Sequence, residues 1–528
     1  MLVYSSLRQI LFLNKQIPPL ESEEFMANEQ NYHKSRKIFI FAILAAILFG
    51  IWSIDRRKQT ADKGENQEKS FLANWKSIGK DEESKRNAEF KQRSSFGEKI
   101  LIGADNNPDK QLAVKNFAEG SFAEAQLKFQ NSLESKPNDP ETLIYLNNSL
   151  AAKKEKTIAI GVSVPVGGSL DVAKEILRGV AQAQNEINQK GGVEQNGVKQ
   201  LVRVQIANDD NDLETARLIA QSFVDNPDII GVVGHNSSSA SLAAAPIYQE
   251  GGLVMISPTS VARALSEAGS YIFRTTPSTR VLAEALADYA VNDIRRQKIG
   301  VCLDASSPAS ISFKDEFSLA LYESGGELAS IDCDFSSENF DPDKVPGRAI
   351  ANGTEALLLI PSVDKINQAL EVARASENRL VILGNHSMYT YETLDVGQSD
   401  IKGTVLPTAW HPSSTKNSKF NQNALELWGM EGNWRTATAY DATKAILNGL
   451  SSATNRQQLQ QVLINPGFSV EGALGKITFK PSGDRQINAT LVKIEPGKAS
   501  GTGYDFAPIE SSVESKLPRS EPKKQPAK

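Results

Sequence analysis

Between Thr157 and Ile494 short apolar runs alternate with longer stretches whose apolar residues recur every three to four positions. The short runs predict buried strands and the longer stretches predict amphipathic helices. In the first half, strands are predicted over Thr157–Val164, Leu201–Ala207, Ile229–Val233 and Leu253–Ile256, with helices over Leu170–Gln189 and Leu213–Val224. Gly191 and Gly192 follow the first of these helices, as glycine does at a helix C-terminus. The rhythm resumes over Lys298–Leu303, Ser312–Glu323, Glu327–Cys333, Ala356–Ile360, Val363–Ala375 and Arg379–Leu383. A further strand is predicted at Thr404–Pro407, helices at Ser418–Trp428 and Thr436–Leu450, and closing strands at Lys476–Phe479 and Ala489–Ile494. Strand–helix alternation of this kind implies parallel sheets covered by helices, an α/β fold built as two successive units.

The most chemically suggestive stretch is GVVGHNSSSAS, which starts at Gly231, followed at Leu253 by LVMISPTS. Two neighbouring strands would each end in a cluster of short polar side chains: Asn236 to Ser239 after the first, and Ser257, Thr259 and Ser260 after the second. Ligands in open α/β sheets bind beyond the carboxyl ends of the strands. A helix N-terminus flanked by serine hydroxyls suits an anion such as a carboxylate. The stretch therefore reads as half of a small-molecule pocket, with a plain serine helix cap as the alternative.

N-terminal to the α/β region, Ile38 to Ile54 form an uncharged run of 17 residues. As a helix it would be about 25 Å long, just enough for a bilayer core. Lys34, Arg36 and Lys37 precede it and Asp55, Arg56, Arg57 and Lys58 follow. No A-x-A-like exit or lipid-accepting cysteine is near, so an uncleaved anchor is expected, with residues 1–37 as a cytoplasmic tail. Met26 is an alternative start. Residues 55–109, rich in Lys, Glu, Asn and Ser, are expected to form a charged stalk with some helix. Residues 110–154 carry Gly120, Phe122, Ala125, Phe129, Leu133 and Pro137 at a spacing similar to a tetratricopeptide repeat. One and a half such units cannot stand alone, so the segment should pack on a neighbour or offer a surface to a protein partner. An ordinary helical hairpin is the other reading. The tail 508–528 is Ser-, Pro-, Lys- and Glu-rich and expected to be disordered.

Composition narrows the function. With 58 basic and 63 acidic residues the net charge is −5, which gives no reason to expect nucleic acid as a partner. Cys302 and Cys333 are the only cysteines, both inside predicted strands, and read most simply as buried thiols. The four histidines show no paired metal spacing, and no phosphate-binding loop of the G-x-x-x-x-G-K-[ST] type occurs, so neither metal nor cofactor is expected. His235 stands close to Ser237, Ser238 and Ser239, but adjacency in sequence does not make a triad and no G-x-S-x-G elbow is present. No catalytic residue is assigned.

With those residues in view, Thr157 to about Phe506 resembles the type I periplasmic solute-binding proteins of the Leu/Ile/Val-binding family. The matching segments run in order along the chain: IGVSVPVGG, NEINQKGGV, NDDNDLETA, GVVGHNSSSAS, LVMISPTS, YIFRTTPS, AYDATKAI and ALGKITFKPSGDR. The resemblance implies two parallel-sheet lobes joined by three hinge crossings, near Arg274–Ser278, Lys402–Pro407 and Ala473–Phe479. Within a binding domain of 155–507, lobe 1 would comprise about 157–275 and 406–472, and lobe 2 about 278–402 and 480–507. It also implies that Ser238, Thr259 and Ser260, with Asn236, receive a ligand carboxylate, and it places His386 where relatives carry an acid for the ammonium group. The loop Ser306-Ser307-Pro308-Ala309 lacks the tyrosine many relatives have, so an aromatic wall is not expected. The implied function is a single-pass, inner-membrane-anchored, periplasmic binding protein that delivers an amino-acid-like or amide-like molecule to an ABC permease. A scaffold that contacts protein through its helical repeat, and a sensor ectodomain, are the alternatives.

Overall fold

The computed structural model describes residues 83–415 and 418–509. The expected cytoplasmic tail, anchor, first part of the stalk and most of the C-terminal tail lie outside the described residues. Among the described residues no helix is long and apolar enough to cross a membrane.

Two sheets organise the fold. The first contains β1 (Ser94–Ser95), β2 (Thr157–Val164), β3 (Val193–Gln195), β4 (Val198–Asn208), β5 (Ile229–Val233), β6 (Val254–Ser257) and β7 (Ile272–Arg274), in the order β1-β4-β2-β5-β6-β7 with β3 paired to β4. From β4 to β7 the pairings are parallel. The second contains β8 (Lys298–Leu303), β9 (Glu327–Ala329), β10 (Ala356–Ile360), β11 (Val381–Gly384), β12 (Val405–Thr408), β15 (Thr490–Pro496) and β16 (Tyr504–Pro508), in the order β16-β15-β12-β11-β10-β8-β9. A small hairpin, β13 (Val470–Gly472) and β14 (Gly475–Ile477), stands apart. β2 and β10 are apolar almost throughout because helices cover both faces of a parallel sheet, leaving no solvent side for a polar alternation.

The helices are α1 (Pro108–Ala118), α2 (Phe122–Ser135), α3 (Pro140–Ala152), α4 (Leu170–Gln189), α5 (Leu213–Asp225), α6 (Ser238–Glu250), α7 (Thr279–Asp288), α8 (Pro308–Glu323), α9 (Lys344–Ala351), α10 (Ile366–Ala375), α11 (Tyr391–Gly397), α12 (Lys419–Trp428), α13 (Trp434–Gly449) and α14 (Arg456–Leu463). α4 buries the stripe Val172, Ala173, Ile176, Leu177, Val180 and Ala181. It lies so close to α13 that a Cβ on Gly179 would stand 2.2 Å from the Thr436 carbonyl oxygen. Only glycine allows that approach.

Several expectations are corrected. Val405–Thr408, placed at a hinge crossing, is a strand of the second sheet, held between Leu383 of β11 and residues 490–493 of β15. The chain therefore leaves that sheet after Thr408, and the stretch 405–408 does not belong to the first lobe. The third crossing also comes later than Ala473–Phe479: the β13–β14 hairpin and Asp484, which bridges Arg274, stay beside the first sheet, and the chain enters the second only at β15. Of the predicted strand Glu327–Cys333 only Glu327–Ala329 is regular. Cys302 and Cys333 are not free thiols but a disulfide, with Cα atoms 4.7 Å apart. It lies beyond the last regular β8–β9 pair, where the register has slipped by two residues so that Leu303 pairs with Asp334 and its N–H donates to the Cys333 carbonyl.

The stalk expectation fails from residue 83 onward. Phe90 packs edge-on against Phe223 at 5.6 Å, Arg93 pairs with Asp210 at 2.8 Å, and Ser94–Ser95 add an antiparallel strand to the free edge of β4. Helices α1 to α3 occupy the segment read as repeat-like, and α3 is built into the first lobe: the Asn148 side chain accepts from Val204 N–H and donates to the Val204 carbonyl. The buried Lys110 ammonium lies 2.7 Å from both Asp139 and Glu141. Glu141 also accepts from the Leu101 and Ile102 amides, so this cluster fastens the incoming chain to the helices. Burial works against the charge of Lys110, yet Glu141 and Asp139 raise its pKa above the usual lysine range.

Removing one partner of a buried ion cluster leaves uncompensated charge, at a cost of about 3–5 kcal/mol. Lys110→Met should lower unfolding stability by about that amount in denaturant titrations; a change under about 1 kcal/mol would contradict the role given to the cluster. Replacing both cysteines by alanine reopens a loop of sequence separation 31 and should cost about 3–4 kcal/mol. The same titration, compared with reduced wild-type protein, checks it.

Candidate functional site

The carboxyl ends of both sheets face a cleft of about 190 Å³. One water requires ~10–15 Å³ on this scale, so the space suits a guest the size of roughly a dozen waters. One wall comes from the first sheet: Asn211 after β4, Asn236 to Ser239 after β5 and Thr259 after β6. The facing wall comes from the second: Asp304, Ser306 and Ser307 after β8, Ser362 to Asp364 after β10, and His386 and Ser387 after β11. Trp434 and Arg435, at the start of α13, close the end.

On the first wall the turn after β5 starts at Gly234, whose φ of +136° brings its backbone so near Ser163 that a Cβ would lie 2.8 Å from the Ser163 carbonyl. Ser237 caps α6, its hydroxyl accepting from Ala240 N–H at 3.1 Å. The cap reading and the cleft reading both hold for this residue. The first-turn amides of a helix have no intrahelical acceptor, so α6 presents donors at the cleft. Ser238 and Thr259 line the cleft with their hydroxyls already engaged. Ser238 Oγ accepts from the Val261 and Ala262 amides, and Thr259 Oγ1 donates to the Asn236 carbonyl. Asn236 donates to the Asn211 side chain at 3.2 Å. Ser260 is a correction. It is buried against Ser241 Oγ at 2.7 Å and the carbonyls of His235 and Asn236, and it does not line the cleft.

His235 is fully buried and does not reach Ser237 to Ser239. Its ring nitrogens meet Asp209 at 2.6 Å and Tyr248 Oη at 3.1 Å. Burial opposes the charge of Asp209, but the His235 hydrogen bond holds this carboxyl below its usual range. Ser163 donates to the same carboxylate. The cluster braces the β5 turn from behind. Among the described residues no group of His, Cys, Asp and Glu could hold a metal ion.

The second wall holds what sequence reasoning missed. Carboxylates stand there although His386 occupies the expected acidic position. Asp304 accepts from Ser306 N–H at 3.0 Å, from Ser306 Oγ and from Ser362 Oγ, and Asp364 is exposed to the cleft. An aromatic is present too, because Trp434 comes from α13 rather than from the loop after β8. α13 starts two residues earlier than its apolar pattern indicated, with Asn433 accepting from the Arg435 and Thr436 amides. The signal was the Asn-Trp-Arg sequence at that cap. Arg435 is buried, stacks 4.4 Å over the Trp434 ring, donates to the Tyr389 carbonyl at 2.7 Å and pairs with Glu175 at 3.3 Å.

His386 packs edge-on to Trp434, ring centroids 5.9 Å apart. Burial, reinforced by Arg435, lowers the His386 pKa to about 3, so the imidazole is neutral at ordinary pH. Its Nδ1 and the Trp434 Nε1–H are buried and have no hydrogen-bond partner in the protein.

A family model for periplasmic binding proteins matches residues 157–498. The chain belongs to the periplasmic binding protein family. A Leu/Ile/Val-binding protein of Citrobacter freundii is 32% identical over 347 residues, 65% of this chain and 90% of that protein. The Leu/Ile/Val-binding protein BraC3 of Rhizobium johnstonii is 22% identical over 349 residues, 65% and 92% of the two chains. Among solved structures, a leucine-binding protein of Thermotoga maritima superposes with a TM-score of 0.59 at 20% identity, covering 67% of this chain and 99% of that one. For this periplasmic binding protein the two-lobed architecture is thus that of its relatives, while the segment before 157 is additional to the matched domain.

The lowered His386 pKa has a sign. The unfolded chain, with an ordinary histidine, takes up a proton as pH falls through about 6.5, whereas the folded protein does so only near 3, so acid favours unfolding across that window. Between about pH 7 and about pH 5 this group should cost about 2 kcal/mol of stability. His386→Gln should flatten that part of the pH–stability curve, measured by denaturant unfolding at each pH; an unchanged slope would mean that the imidazole is solvated.

Proposed function

We propose that this protein is an extracytoplasmic receptor that captures an amino-acid-like zwitterion and delivers it to an ABC importer. The observation that carries the reading is the pairing, across one cleft, of a serine-flanked helix N-terminus with unengaged polar groups on the opposite wall. A carboxylate would sit at the first turn of α6, beside Ser238, Thr259 and Asn236, where the unpaired amides and the helix dipole favour negative charge. The ammonium group would lie toward Asp364, the cleft carboxylate with no internal partner. His386, being neutral, would contact the ligand by hydrogen bonding and not by charge. Relatives whose names state Leu/Ile/Val binding support an amino acid as the guest class.

The disulfide supports an oxidising compartment, since such pairs are rare in the cytosol. The apolar run 38–54 supports tethering to the membrane, with the receptor held near its permease. A free-standing protein-binding repeat is less favoured, because α3 is committed to the first lobe through Asn148.

A ligand at about 100 times its Kd stabilises the folded state by about 2.7 kcal/mol. Free amino acids should therefore raise the melting temperature by a few degrees, and the matching amines lacking the carboxylate should not. Asp364→Asn should weaken binding by about tenfold or more, the loss of one charge-assisted contact. Should no amino acid or amide shift the transition, the receptor reading falls.

A further inference from the structure

Of the residues lining the cleft only Ala309, Val363 and Trp434 are apolar; serines, asparagines and two aspartates make up most of the rest. A branched aliphatic side chain placed there would leave any unpaired polar group on these walls unanswered. The unpaired groups say what would be accepted instead. Trp434 Nε1–H can only donate, and it is buried without an acceptor. Asp304 and Asp364 can only accept while ionised. With Asp364 answering the ligand's ammonium group, the lining still holds Asp304, which already accepts from Ser306 and Ser362, and two buried groups without partners, Trp434 Nε1–H and His386 Nδ1.

We infer that the guest is a small amino acid whose side chain ends in a carboxamide, with its carbonyl oxygen toward Trp434 and its NH₂ toward His386 Nδ1 and Asp304. Carboxamides combine a two-lone-pair acceptor with two donors, and so can answer both kinds of group at once. An aliphatic end answers neither, a carboxylate end only the donor, and an ammonium end only the acceptors. This rests on the receptor reading above and narrows it to one class.

The test is calorimetric titration of the full chain with glutamine, asparagine, glutamate, leucine and valine, followed by glutamine into Trp434→Phe. Glutamine or asparagine should bind at least tenfold more tightly than glutamate, leucine or valine. Trp434→Phe keeps an aromatic ring and removes the donor together with part of the indole's volume. It should weaken the favoured amide at least tenfold in a protein that still unfolds cooperatively, at a somewhat lower melting temperature because a buried ring is made smaller. Leucine or glutamate binding as tightly as glutamine would overturn the carboxamide assignment and leave the receptor reading standing. So would undiminished amide binding by Trp434→Phe. Silence from the whole panel would overturn both.

Discussion

One buried cation ties the two lobes together beside the cleft. Arg435 reaches back to Glu175 on α4 in the first lobe and forward to the Tyr389 carbonyl in the second, with Trp434 under its guanidinium plane. Burying a guanidinium is costly unless most of its donors are answered, and here the answers come from both halves of the molecule. Further along the same helix, Asp441 takes Arg485 at 2.6 Å and accepts from the Ala473 and Leu474 amides, and the Thr438 carbonyl accepts from Thr275. α13 therefore touches two of the connecting segments and one end of the cleft. Both lobes and the cleft meet at this helix.

The rest of the chain braces each lobe on its own side of that helix. In the first lobe, β1 covers the edge of β4, an exposed edge strand being a template for unwanted pairing. Asn148, Gln184 and Asn188 answer the β4 backbone from α3 and α4. In the second, the disulfide pins the strand that leads to Asp304 to the chain leading to Asp334, whose carboxylate accepts from Ala305 N–H. Both braces end within a few residues of cleft-lining groups, so those side chains stand on braced elements.

The parallel core was legible because a strand covered on both faces is apolar without interruption, and β2, β5, β8 and β10 agree with their apolar runs residue for residue. What escaped was set by tertiary context. Ser94–Ser95 have no strand pattern and become one only because β4 has an unpaired edge. Trp434 and Arg435 fell outside their predicted helix because a buried tryptophan and arginine at a cap break the amphipathic pattern. The polar half of the cleft was partly legible: Asn236, Ser238 and Thr259 follow apolar runs and line it. Ser260 follows one too and turns inward, since the backbone carbonyls of His235 and Asn236 claim its hydroxyl. Sequence places a hydroxyl at a strand end; only the surrounding carbonyls decide whether it faces out.

That distinction bears on how a cleft lined mainly by polar residues could hold a ligand. Thr259 donates its hydroxyl proton to the protein's own backbone and so shapes the wall more than it grips, whereas Ser238 only accepts there and keeps its O–H to donate. Groups with no partner behave differently. Each buried unsatisfied donor or acceptor costs about 1–3 kcal/mol, and that cost is carried by the empty protein. A guest that pairs with Trp434 Nε1 and His386 Nδ1 relieves it, whereas one that merely fills the space does not. Selectivity then follows from the difference between the two, and it needs no large apolar area. The same reasoning explains why a neutral histidine suits this wall: a protonated imidazole beside Arg435 would add like charge to a buried site, while the neutral ring can donate or accept as its tautomer requires.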